Sequence, residues 1–210
     1  LIHATILTKD GKRMSKSLGT GVDPIDLINR YGADATRFGL IWQAMGGQDI
    51  HWAEEHVAAG RKFCNKVWNA SRFVLLQIPN SPPTSKLRRA GKFQIPKQLK
   101  PQTAEDKKIL GKLRKVQKEV DRSVEKYEFG KALHEIYVFF WHDFCDRYLE
   151  KSKSQIVNSK SRQSTKKILS YVLAESLKLL HPFMPFVTEE LWSYLPIKNK
   201  KLLLVEKWPV

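Results

Sequence analysis

Along most of this chain apolar residues recur at steps of three and four, the period of helices that bury one face. From Ala53 to Ile78 the positions Val57, Cys64, Val67, Trp68, Val74, Leu75 and Ile78 predict one long helix. A second stripe, Leu110, Leu113, Val116, Val120, Val124 and Tyr127, lies among residues that are almost all charged, so this helix is expected to expose its other faces. Thr103 and Asp106 have the spacing of a capping box and predict its start. Leu133, Ile136, Tyr137, Phe140, Trp141, Phe144 and Tyr148 predict a third helix. Their helical spacing favours core packing over a role as exposed stacking platforms. Leu169, Val172, Leu173, Leu177 and Leu180 predict a fourth, stopped by Pro182.

Shorter elements frame these four. "LIHATIL" at the start reads as a strand. Asp23 as N-cap, Pro24 at the first helical position and Gly32 as the stop define a short helix. "ADATRFGLIWQAM" predicts another, closed by Gly46 and Gly47, and "QDIHW" a brief extended link. Residues 79–102, rich in proline and cations, are expected to form a surface loop or mobile insert, and 151–163 a polar connection. "PFVTEELWSYLP" reads as a short helix and "LLLVEKWPV" as a closing strand or extended tail. Four long amphipathic segments imply a mainly α fold, a helical bundle.

Composition adds limits. A hydrophobic share of 42% over 210 residues is enough for a real core and excludes global disorder. No apolar run approaches the roughly 20 residues that span a bilayer. Two cysteines, Cys64 and Cys145, exclude a disulfide framework and fit a reducing, cytoplasmic compartment. His142 and Cys145 stand three apart, but two ligands without neighbours suit packing better than a metal site. The net charge of +16 is uneven. Residues 1–60 hold six Lys/Arg against seven Asp/Glu, residues 84–126 fourteen against five, and residues 147–167 seven against one. A field concentrated in the helical part favours a polyanion, with nucleic acid the leading candidate.

The candidate chemistry lies elsewhere, in "DGKRMSKSLGTG" at 10–21. Lysines supply mobile charge, serines donate hydrogen bonds, and glycines let a main chain approach phosphates. The spacing of a P-loop is absent. On composition alone a plain surface turn is the better reading.

"RMSKS" at 13–17 resembles the Lys-Met-Ser-Lys-Ser signature of class I aminoacyl-tRNA synthetases, and "SLGTGVDPIDLINRYGADATRFGL" resembles the segment next to that signature in the same enzymes. "GQDIHWAEEHVAAGRKFCNKVWNASRFV", "FWHDFCDRYLE" and "LLHPFMPFVTEELW" resemble, in order, segments of the valyl branch. Two positions depart: Arg13 replaces the first lysine of the signature, and Arg147 stands where valyl enzymes tend to have tryptophan.

The resemblance implies a carboxy-terminal part of a longer enzyme, whose amino-terminal catalytic and editing domains are missing. Residues 1–21 would end the catalytic domain, 22–60 would contact the tRNA stem region, and 61–210 would form the anticodon-binding bundle. It further implies ATP as substrate with Mg2+, and tRNA(Val) as partner, with no metal site and no membrane contact in this chain. Lys16 would stabilise the leaving pyrophosphate, Arg13 would assist, and Met14, Ser15, Ser17, Gly11, Gly19 and Gly21 would shape a closing loop. Lys112, Arg114, Lys115 and Arg122 are the candidate tRNA contacts. An isoleucyl or leucyl enzyme, a non-catalytic synthetase-derived RNA-binding module, and a basic helical scaffold remain as alternatives.

Overall fold

The computed structural model describes residues 5–15, 17–45, 49–78, 99–197 and 199–209. Lys16, the Gly46–Gly47 pair and most of the proline-rich insert lie outside the described residues. The elements are β1 (Ile6–Leu7), α1 (Pro24–Tyr31), α2 (Ala33–Gln43), β2 (Ile50–His51), α3 (Glu55–Gln77), α4 (Ala104–Glu125), α5 (Phe129–Val138), a π-helical segment (Phe139–Leu149), α6 (Glu150–Val157), α7 (Arg162–Leu180), α8 (Pro185–Tyr194) and a 3-10 turn (Leu203–Val205). β1 and β2 pair in parallel, Ile6 against Ile50 and Leu7 against His51. No described helix is long and apolar enough to cross a membrane.

The caps form as their residues dictate. Asp23 accepts the amide of Ile25, with Pro24 opening α1. Thr103 and Asp106 exchange side chain-to-backbone bonds of 3.1 and 3.3 Å at the start of α4. α2 and α3 pack at close range because glycine lines their seam. A Cβ on Gly39 would come within 2.6 Å of Val57 Cγ2, and one on Gly60 within 2.8 Å of the Ala35 carbonyl oxygen.

The core joins α3, α4, α5, the π-helical segment, α7 and α8. Phe63, Val67, Val74, Leu113, Val120, Leu133, Ile136, Leu169, Leu173 and Leu177 are buried in it. Phe140, Phe144 and Tyr148 are buried too, as their spacing predicts. Two stripe positions are corrected. Trp68 and Tyr127 are exposed, 36% and 63%, because α3 and α4 turn those edges away from their neighbours. Tyr127 has in addition left the helix, with φ of 60° in the turn to α5.

Three further expectations change. The third helix is no uniform α-helix: eleven residues are π-helical, with helical backbone on both flanks. The buried pairs Phe139/Phe140 and Phe144/Cys145 are five residues apart. An i→i+5 turn keeps such positions closer to one face than an α-turn does. The polar connection is helical as far as Val157, since α6 carries on from that segment and holds Ser152 buried. The closing strand does not form; Leu203 is buried by a single 3-10 turn, and Trp208 reaches Asp121 at 3.1 Å.

Polar networks fasten both ends of the bundle. At one end Tyr148 donates to Asp106 at 2.6 Å, Gln155 donates to Thr103 at 3.1 Å, and Thr165 donates to Gln155 at 3.2 Å. At the other, the residue before α8 is Met184, which offers no capping oxygen. Asp34 of α2 takes that place, accepting the amides of Phe186 and Val187 at 3.2 and 2.6 Å. Arg37 donates to the carbonyls of Pro182 and Phe183, at 2.8 and 3.2 Å. Burial pushes the Asp34 carboxyl up against the opposing pull of these amides. Beside it His181 Nδ1 lies 2.8 Å from Thr188 Oγ1, whose own proton points to the Met184 carbonyl, so Nδ1 is the donor.

Two measurements check these networks. Tyr148→Phe leaves a buried carboxylate oxygen without its partner and is expected to lower stability by about 1–3 kcal/mol in urea unfolding; an unchanged midpoint would show that the Asp106 bond carries no weight. Burial holds His181 and His134 below the usual histidine range, in spite of Glu189 and Asp34 near His181 and of the Trp42 carbonyl bonded to His134. The unfolded chain therefore binds more protons below about pH 6.5, and stability falls as pH drops through that range. His181→Gln is expected to flatten the dependence of Tm on pH between about 7.5 and 5.5, and an equal slope would remove His181 as its source.

Candidate nucleotide loop and nucleic-acid interface

The loop after β1 is folded on itself in two stages. In the first, Thr8 N–H donates to the Lys12 carbonyl at 2.7 Å, Gly11 N–H to the Thr8 carbonyl at 3.0 Å, and Lys12 N–H to Thr8 Oγ1 at 3.0 Å. Gly11 takes φ of 76°, a left-handed conformation natural to glycine. Arg13 then bridges back to Leu7 as an antiparallel pair.

Thr20 closes the second stage. Its hydroxyl accepts the Ser15 amide at 2.9 Å, and its own amide donates to the Ser15 carbonyl at 3.1 Å. Ser15 Oγ and Ser17 Oγ lie 2.8 Å apart, and Gly19 turns the chain with φ of 64°. Met14 and Ser15 are half-buried, while Arg13, Ser17, Gly19 and Gly21 are exposed. Thr20 is the residue that sequence reasoning missed. Its signal was the hydroxyl placed between two glycines, five residues after Ser15. The arrangement gives a basic, hydroxyl-lined loop whose outer side stays open, a shape able to lie over an anion.

Behind this loop, α1 is tied to the start of α3. Arg30 meets Glu54 at 2.8 Å, the Tyr31 hydroxyl donates to Glu54 at 2.7 Å, and Arg61 donates to the Arg30 carbonyl at 2.8 Å. The Tyr31 and Arg30 bonds hold the Glu54 carboxyl below its ordinary range.

The four cations proposed for nucleic acid on α4 do not share one face. Lys112 pairs with Asp143 of the π-helical segment, which also receives Arg147 at 2.9 Å. Arg147 thus covers an acid. Lys115 pairs with Glu119 at 3.7 Å. Arg114 and Arg122 lie on the side toward α7, both lining the seam between the two helices, and among the described residues no carboxylate lies within 4 Å of either. Trp141 is half-buried, with Lys66 4.9 Å from its ring centre and Phe63 stacked at 6.1 Å. Lys66 also meets Asp146 at 2.8 Å, and His142 Nδ1 stands 3.2 Å from the same carboxylate. Cys145 is buried, its thiol pushed up to about 12 by burial, as is that of Cys64. Among the described residues no three His, Cys, Asp or Glu side chains are grouped to hold a metal ion.

Comparison with known proteins places these features together. A family model described as tRNA synthetases class I (I, L, M and V) matches residues 1–53, and one described as the anticodon-binding domain of tRNA ligase matches residues 106–210. The chain is 44% identical over 208 residues to a valine–tRNA ligase of Pseudothermotoga lettingae, with 99% of this chain and 22% of that protein aligned. It is 42% identical over 211 residues to one of Bacillus thuringiensis, covering 100% of this chain and 23% of that protein. A Thermotoga maritima valine–tRNA ligase is 42% identical over 99% of the chain and 22% of its own length. The chain therefore spans under a quarter of the curated relatives it matches. Among solved structures, the LeuRS chain of a ternary complex from Agrobacterium radiobacter K84, crystallised with tRNA and LeuAMS, superposes with a TM-score of 0.74 over 99% of this chain and 23% of that one, at 24% identity. That likeness supports the fold. The loop, the bundle and both family matches agree: this chain belongs to the class I aminoacyl-tRNA synthetases and carries their anticodon-binding domain.

Proposed function

We propose that the chain works as part of a valine–tRNA ligase acting in the cytoplasm, supplying one side of the ATP site and the surface that receives tRNA(Val). The observation that carries the reading is the alignment of essentially the whole chain, loop and bundle in one order, with valine–tRNA ligases at 41–44% identity. In such a reaction valine attacks ATP to form an aminoacyl-adenylate and pyrophosphate, and the terminal adenosine of tRNA then takes the acyl group. The remaining catalytic and editing parts would come from the same polypeptide.

Within that reaction residues 1–21 serve ATP. Lys16 is the proposed main cation for the departing pyrophosphate, where a positioned charge stabilises the transition state more than the ground state. Arg13, fixed next to β1 by its backbone bridge, assists. Met14, Ser15 and Ser17 shape the turn, and Gly11, Gly19 and Gly21 allow it to close. Mg2+ would arrive on the ATP phosphates, the way this ion is usually held at nucleotide sites; the chain's own share is charge and loop geometry. Residues 22–60 join the loop to the bundle, and 61–210 face the tRNA.

Two outcomes test the proposal. In the full-length enzyme Lys16→Ala is expected to slow valine-dependent ATP–pyrophosphate exchange more than tenfold, a loss above about 1.4 kcal/mol, with tRNA binding nearly intact; equal exchange would take Lys16 out of the mechanism. Binding of tRNA to the 210-residue chain is expected to weaken steeply with salt as phosphate contacts are screened. A flat response would argue against the nucleic-acid surface.

A further inference from the structure

Two threonines hold the loop after β1 in the same manner, one at each end of the run 12–15. Thr8 stands before the run. Its hydroxyl accepts the Lys12 amide at 3.0 Å, and its own amide donates to the Lys12 carbonyl at 2.7 Å. Thr20 stands after it. Its hydroxyl accepts the Ser15 amide at 2.9 Å and donates back to the Ser15 carbonyl at 3.3 Å, while its own amide donates to that carbonyl at 3.1 Å. Each clip takes both backbone groups of one residue, and between the clips Arg13 bridges to Leu7. The start of "RMSKS" is therefore anchored by two hydroxyls that lie outside it.

The two clips differ in what stands behind them. The first rests on the sheet: Thr8 is half-buried directly after β1, and a Cβ on Gly11 would come within 3.3 Å of the His51 ring of β2. The second is exposed, and nothing lies within 4 Å of the place where a Cβ on Gly19 would stand. The turn from Ser15 to Thr20 is thus shaped by its own bonds and by the left-handed Gly19. The contact between Ser15 Oγ and Ser17 Oγ links side chains; among the described residues Thr20 is what bonds the Ser15 main chain. The next residue in the sequence is Lys16, the proposed cation for the departing pyrophosphate. Peptide units are planar, so holding the Ser15 carbonyl also holds the direction in which the chain leaves it.

We propose that Thr20 is a positioning residue for adenylate formation, acting through the Ser15 main chain to aim Lys16 at the phosphates of ATP. The inference rests on the ATP-loop reading above. Charge gathers on pyrophosphate as its bond to the α-phosphorus breaks, so a cation aimed there counts most in the transition state. Loss of aim then lowers the rate and leaves ground-state affinity in place. One exposed, neutral hydrogen bond sets the scale, which is smaller than the loss of the charge itself.

The test is valine-dependent ATP–pyrophosphate exchange by the full-length enzyme. Thr20→Val keeps the shape of the side chain and removes its hydroxyl. It is expected to lower kcat about fivefold, the weight of one such bond, with KM for ATP and Tm unchanged, and Thr20→Ser is expected to keep the parent rate. In a double-mutant cycle Thr20→Val is expected to cost nothing further once Lys16→Ala is present, because a positioning residue has no effect without the group it positions. An unchanged kcat in Thr20→Val, a loss confined to KM for ATP, a slow Thr20→Ser, or the same loss in both backgrounds would overturn the positioning role while Lys16 keeps its place. Unchanged exchange by Lys16→Ala alone would overturn the ATP-loop reading itself.

Discussion

The bonds from the Asp34 carboxylate to the amides of Phe186 and Val187 hold together two parts of the molecule that are far apart in sequence. α8 begins with Pro185 after a methionine that has no capping oxygen, so its first free amides have no local side-chain acceptor. Asp34 supplies one from the first turn of α2, while Arg37, a turn later on the same helix, takes the carbonyls that end the α7 side of the bend. Placing a carboxylate there is costly, and burial indeed raises its pKa. What offsets the cost is two hydrogen bonds to amides with no acceptor on their own helix, at a helix N-terminus that attracts negative charge. The two charged side chains that tie α2 to the α7–α8 bend thus stand in "GADATR", part of the run that marks the family, beside the aromatic contacts of Phe38 and Trp42.

Because α2 is locked to the α7–α8 bend, and to α3 through Gly39 and Gly60, the loop of residues 8–20 has a firm base. The loop hangs on β1, whose partner β2 leads directly into α3. The loop thus combines a rigid support with its own internal closure by Thr20. The far end of the bundle is held differently, by hydrogen bonds that run from Tyr148 to Asp106, through the reciprocal side chain-to-backbone cap of Asp106 and Thr103, and on to Gln155 and Thr165. Both ends are therefore fixed by polar groups with specific partners, and the apolar core between them sets which helices touch.

Several features were legible in the residues alone because their causes are local. The Thr103/Asp106 cap, the Asp23–Pro24 start of α1 and the apolar stripes of α3, α4 and α7 depend on neighbours within a turn or two, and they form where expected. Of the candidate loop, the bend at Gly19 and the Ser15–Ser17 contact arise from short spacing in the same way. The π-helical stretch did not announce itself, since aromatics three, four and five apart satisfy both helix types, and only packing against α3 and α4 selects the wider turn. Nor could α6 be seen in "KSKSQIV", whose polar face hides a single buried serine.

By itself the sequence determined the helical period, the caps, the basic surplus and the loop motif that marks the family, each through contacts a few residues long. Which cations remain free was decided only by the tertiary structure. Lys112 and Arg114 are two residues apart with the same charge, yet one meets Asp143 and the other faces an open seam. That difference depends on which helices become neighbours. No local pattern encodes it, because the neutralising carboxylate lies 31 residues away on another helix.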